Sequence, residues 1–113
     1  VIHSNHPNEI NAEVRQAMHS LKRAGVTLLN QSVLLRGVND DAATLVALSQ
    51  ALMAAGVLPY YLHQMDKVQG AAHFEVADST ARRLMERVHA ALPGYLVPRL
   101  VRELPGHSGK LAL

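Results

Sequence analysis

Short apolar runs alternate with amphipathic stretches along this chain, and that alternation constrains its fold more than any other feature. The apolar runs occupy residues 1–4, 26–35, 57–63 and 95–104, and the stretches between them, residues 8–24, 41–55 and 78–92, have helical character. In the first stretch Ile10, Val14, Ala17, Leu21 and Ala24 recur at steps of four and three, which predicts one apolar helix face. Leu45, Leu48 and Leu52 do the same in the second, and Leu84, Val88 and Ala91 in the third. Gly25, Gly56 and Pro93-Gly94 stand where these stretches stop. Asn39 or Asp40 is the expected cap of the second helix, and Asp78 or Ser79 of the third.

Strand, helix, strand, repeated, implies parallel strands joined by right-handed crossovers. The expected fold is therefore α/β, the C-terminal half of a partial (β/α) TIM-like barrel with parallel strands. The runner-up is an open doubly wound sheet. Standing alone, such a piece leaves two open sheet edges. In both architectures sites form at the C-terminal ends of the strands. The polar residues of this chain gather near those ends: His3, Asn5 and His6, then Arg36 and Asn39, then His63 and Asp66, then Glu103 and Lys110. Gln31 falls inside the second apolar run, at a position able to face a barrel interior.

The chain's 113 residues, 49% of them hydrophobic, suit one domain with a sizeable core. Net charge is +2, and no run of Lys or Arg forms a nucleic-acid patch. No apolar stretch is long enough to span a membrane, so a cytoplasmic protein is expected, without nucleic-acid or membrane partners. Cysteine is absent, which excludes disulfides, a thiol nucleophile and Cys-ligated metal within these residues. The chain opens on Val1, already inside an apolar segment, and is expected to be part of a longer one.

Several residues carry chemistry. Lys110 follows Gly106-His107-Ser108-Gly109; a lysine at a barrel mouth, once desolvated, can form a Schiff base with pyridoxal phosphate, although spacing alone favours an ordinary solvated lysine. Asp66 and Glu103 can together bind a substrate ammonium, or simply be solvated, with Glu103 paired to Arg99 or Arg102. His3 and His6 have a metal-like spacing, but no carboxylate completes a triad, and hydrogen-bonded loop histidines are the simpler reading. Asn30 and Gln31 interrupt an apolar run, so their amides need partners from a neighbouring strand or a ligand. Of Tyr60 and Tyr61, one is expected in the core and the other toward the barrel interior.

Four segments taken together resemble a known family. They are Ser4-Asn5-His6-Pro7-Asn8-Glu9-Ile10; Gly25-Val26-Thr27-Leu28-Leu29-Asn30-Gln31-Ser32 with its continuation through Asp40; Pro59-Tyr60-Tyr61-Leu62-His63 with residues 66–74; and Gly94-Tyr95-Leu96-Val97-Pro98-Arg99 with its continuation to Glu103. In order and spacing these are similar to the lysine 2,3-aminomutase family of radical S-adenosylmethionine enzymes. Residues 66–74 and the Arg102-Glu103 pair are most similar to the branch that supplies β-lysine for elongation factor P lysylation. The resemblance covers essentially the whole chain and places residues 1–113 in the C-terminal part of the barrel domain.

The resemblance implies an isomerase that converts L-lysine to β-lysine by a 1,2-amino shift, using pyridoxal 5′-phosphate, S-adenosyl-L-methionine and a [4Fe–4S] cluster. Lys110 matches the pyridoxal phosphate lysine. Asp66 and Glu103 match the acidic positions for the substrate ammonium. His3 and Gln31 match positions that contact S-adenosylmethionine. Glu103 departs from the aspartate usual in free-lysine enzymes, and Leu111 replaces a common threonine. The cluster's three-cysteine motif is missing, so its ligands are expected in the remainder of the enzyme chain, and these residues alone are expected to be inactive. A homo-oligomer is compatible with this reading. The competing functions are a strand-end, His-based metal hydrolase and a non-catalytic scaffold.

Overall fold

In a computed structural model of the chain, the described residues are 1–64, 75–103 and 110–113; the side chains of Glu103, Lys110 and Leu111 lie outside that description. Helix α1 (Ala12–Arg23) begins at Asn11, whose Oδ1 accepts from Val14 N at 2.9 Å. This corrects the expected start at residue 8: Pro7–Glu9 forms a separate 3-10 turn, and His6 Nδ1 accepts from Asn8 N there. The expected face is corrected too. Ile10, before the helix, and Met18 are buried, whereas Ala17, Leu21 and Ala24 are exposed. Ile10, Val14 and Met18, spaced by four, form the packed face, so the expected Ile10 and Val14 are in place and the three-residue steps to Ala17 and Ala24 led away from the core.

Strand β1 (Leu28–Leu34) is followed by α2 (Ala42–Ala54), β2 (Val57–Gln64), α3 (Asp78–Ala91), β3 (Arg99–Glu103) and β4 (Lys110–Ala112). The cap of α2 is Asp41, whose carboxylate accepts from Thr44 N at 3.1 Å and Thr44 Oγ1 at 2.6 Å; Asn39 and Asp40, the expected caps, do other work. No side chain caps α3, because Asp78 is already helical and turns elsewhere. Gly25 and Gly56 take φ of +89° and +79° after α1 and α2, a conformation that costs glycine little and other residues more.

The sheet order is β1-β2-β3-β4. β1, β2 and β3 are parallel, and Ile2 adds a single parallel bridge to Asn30 on the outer side of β1. The last strand differs from expectation in two ways. Residues 94–96 form a 3-10 turn with Tyr95 exposed, so the strand starts at Arg99; and residues 110–112, outside the four expected strands, pair antiparallel with β3. The β3 edge, expected open, is thereby covered over Val101–Glu103.

The core lies on one side of the sheet. Leu34, Leu62 and Leu100 pack with Leu45 of α2 and Ala81, Leu84, Met85 and Val88 of α3. Leu28 and Val57 pack with Met18 of α1 and Leu48 and Leu52 of α2. Ala91, expected in this core, is exposed. All three helices thus cover the same sheet face, whereas a doubly wound sheet would carry helices on both. Leu34, Leu52 and Leu62 are fully buried, and each contributes roughly 1.5–3 kcal/mol through removal from water. The described molecule is α/β with three parallel strands in one sheet.

Candidate functional site

Strand alternation assigns the face opposite the helices. Leu28, Asn30, Ser32 and Leu34 are buried on the helix side, so Leu29, Gln31 and Val33, all half-buried, belong to the other. β2 follows with a bulge: the register steps from Asn30↔Pro59 to Gln31↔Tyr61, skipping Tyr60. Ser32 Oγ donates to Tyr61 O at 3.5 Å beside it. A bulge suits Pro59, which cannot donate to a ladder. It also corrects the expectation for the tyrosines: neither is in the core, Tyr60 being 42% exposed and Tyr61 half-buried, with their ring centroids 4.3 Å apart.

Beyond the bulge, Tyr61 and His63 share the helix-free face with Gln31. His63 Nε2 donates to Gln31 Oε1 at 3.0 Å, and the Tyr61 and His63 rings lie 5.9 Å apart. The Ile2 bridge extends this face outward. Ile2 packs against the helix-side core and pairs with Asn30 in a single bridge, and His3, the next residue, is exposed. The His63 partner of Gln31 was not legible in the sequence, since nothing in the spacing shows a one-residue bulge.

The amides at the strand ends are structural. Asn30, 1% exposed, accepts from Ser4 N at 2.9 Å and donates to Ser4 O at 3.1 Å. Asn5 Oδ1 accepts from Val33 N at 2.9 Å. Asn39, fully buried, accepts from Leu35 N at 2.8 Å and donates to Asn5 O and Val33 O at 2.8 and 2.9 Å. These bonds answer the need for partners inside an apolar run and hold residues 3–6 against the end of β1.

At the ends of β2 and β3 the chemistry is ionic. Asp78 Oδ1 accepts from Gln64 Nε2 at 3.0 Å and from Arg102 at 2.5 Å. Gln64 Nε2 also donates to Val76 O. The Gln64 hydrogen bond, and then Arg102, hold the Asp78 carboxyl below the usual carboxylate range against the opposing effect of burial. Arg102, considered for Glu103, is therefore bonded to Asp78. A cleft of about 680 Å³ opens between the turn after β1 and the start of α3, lined by Arg36, Asp40, Glu75 and Asp78.

Asp66 and His73 lie outside the described residues. For Glu103 and Lys110 the backbone is described, and the β3–β4 register pairs them directly. Among the described residues no group of three His, Asp or Glu draws together as metal ligands, and no helix is long and apolar enough to cross a membrane.

Comparison with known proteins adds to this geometry. The chain is 59% identical over all 113 residues to the L-lysine 2,3-aminomutase of Escherichia coli, 33% of whose length it spans. The chain is similar along nearly its whole length to proteins named L-lysine 2,3-aminomutase. An L-lysine 2,3-aminomutase of Haemophilus influenzae is 53% identical over 97% of this chain and 32% of its own. That of Clostridium subterminale is 44% identical over 96% of this chain and 26% of its own. Lysine 2,3-aminomutases thus match the chain nearly end to end, while it spans about a third or less of each. No protein-family model matches the chain.

Proposed function

We propose that these residues are the C-terminal part of an L-lysine 2,3-aminomutase, an isomerase that converts L-lysine to β-lysine for elongation factor P lysylation. The near end-to-end similarity to proteins named L-lysine 2,3-aminomutase carries this reading. The one-sided helix layer supports a half-barrel whose interior is the face of Gln31, Tyr61 and His63.

In this reading Lys110 anchors pyridoxal phosphate, Asp66 and Glu103 bind the substrate's side-chain ammonium, and His3 with Gln31 contacts S-adenosylmethionine. The register supports part of it: Glu103 and Lys110 are cross-strand partners, so a carboxylate residue and an amine residue stand at one position of the sheet. Gln31 lies on the helix-free face, where polar groups can meet a polar cofactor, and His3 is exposed one residue beyond the Ile2–Asn30 bridge. Pyridoxal phosphate, when bound, supplies the electron-accepting π-system that an amino shift requires. The chain's own residues fix orientation: His63 holds the Gln31 amide, and the Asn5–Asn39 bonds hold the segment after His3. A [4Fe–4S] cluster does not fit these residues, which include no cysteine, and its ligands would have to come from outside them.

The full-length protein carrying this segment is expected to convert L-lysine to β-lysine, and Lys110→Ala to abolish both turnover and the visible absorbance of protein-linked pyridoxal phosphate. Unchanged absorbance in Lys110→Ala would remove Lys110 from its role.

A further inference from the structure

We infer that Asp78 is a positioning residue for the substrate's side-chain ammonium, setting the separation of the two strand ends that lead to Asp66 and Glu103. The inference rests on the reading of those two acids given above.

The paired residues of β2 and β3 run from Tyr61↔Arg99 to His63↔Val101. Gln64 and Arg102 come next on their strands, and it is their side chains that are joined, both to Asp78 Oδ1. One carboxylate oxygen thus bridges the two strands just beyond their last paired residues. Gln64 stands two residues before Asp66, and Arg102 directly before Glu103. Gln64 is buried at 4% exposure and is held a second time by Val76 O, so the β2 end has little freedom once Asp78 is in place. Arg102 and Asp78 are more open, at 23% and 35%, so the bridge can be altered without emptying the core.

Asp78 is also free for this work. It is the first residue of α3, yet its side chain does not cap the helix. An acid in a first turn already gains from the helix dipole, but that gain does not require contact with two different strands. Two carboxylates that share one ammonium need a set separation, because a charge-assisted hydrogen bond weakens steeply with distance and angle. The bridge acts on that separation from the helix side of the sheet, without touching substrate.

The test uses the full-length protein loaded with pyridoxal phosphate. It compares binding of L-lysine with that of L-norleucine, which lacks the side-chain ammonium, through the change in cofactor absorbance. Asp78→Asn is expected to reduce the lysine-to-norleucine preference about tenfold, the scale of one weakened charge-assisted hydrogen bond, while norleucine binding stays unchanged. Equal loss for both amino acids, or no loss for either, overturns the inference. If Asp78→Asn does not fold, Arg102→Lys serves: it keeps the charge, and its smaller loss must again be confined to lysine, with equal or no loss overturning the inference. Asp66→Asn and Glu103→Gln separate the two levels. If they abolish the preference and Asp78→Asn does not reduce it, the inference fails alone; if they leave it intact, the ammonium reading fails and the inference with it.

Discussion

On the Ile2 side of the sheet, the loop after the strand is held by neutral amides; on the β2–β3 side, the strand ends are held by a carboxylate and a guanidinium. Asn30 and Asn39 are almost completely buried, and each both accepts from and donates to backbone. Asp78 and Arg102 keep about a third and a quarter of their side-chain surface in water. The difference follows from the cost of burial. An amide with its bonds met can be buried at little cost, whereas a charge keeps some contact with water or loses most of what its partner offers. The amide tie is therefore the stronger one and insensitive to pH, while the ionic tie is weaker and adjustable.

That contrast can be broken by measurement. The largest effect is expected from Asn39→Ala, which strips partners from Leu35 N, Asn5 O and Val33 O in a buried place. It should cost about 3 kcal/mol in chemical unfolding. A cost below that of Asp78→Asn, expected at roughly 0.5–1 kcal/mol for a partly exposed pair, would invert the comparison.

The next effect is in pH. The folded-state pKa of Asp78 is lowered, by Gln64 first and Arg102 next, with Arg82 adding attraction. A depressed carboxyl contributes stability above its unfolded value and loses it as pH falls through the folded one. Asp41, lowered by its bonds to Thr44, acts in the same window. Stability should therefore fall as pH drops below the ordinary carboxylate range. Asp78→Asn should flatten that fall, with Asp41 leaving a residue of it, and Asn39→Ala should keep the full slope at lower absolute stability. Parallel pH profiles for wild type and Asp78→Asn would deny the ionic tie any role.

Salt gives the smallest effect. Screening of the Asp78–Arg102 pair should lower stability by no more than about 0.5 kcal/mol at high ionic strength, and the decrement should vanish in Asp78→Asn.

The identity and order of the major elements, from α1 through β3, were legible in the residues, because apolar periodicity and glycine stops are local. So was the concentration of polar groups toward the strand ends. Less legible were features that depend on partners far away in sequence. The 3-10 turn at Pro7–Glu9 moved the start of α1 from residue 8 to Ala12. The bulge at Tyr60 decided which side chains share a face with Gln31. The antiparallel return of residues 110–112, where no strand was expected, brought Lys110 opposite Glu103.

The sequence by itself determined which segments could be strands and helices and which residues had chemistry to offer, since both are properties of side chains and their spacing. Only the tertiary structure decided which of those residues meet. Asp78 shows why: as the first residue of a helix it reads as a cap, and it becomes a bridge between two strands only because Gln64 and Arg102, 14 and 24 residues away, arrive beside it. A hydrogen bond is chosen by distance and angle in space, and the chain encodes that choice through packing rather than through any local pattern.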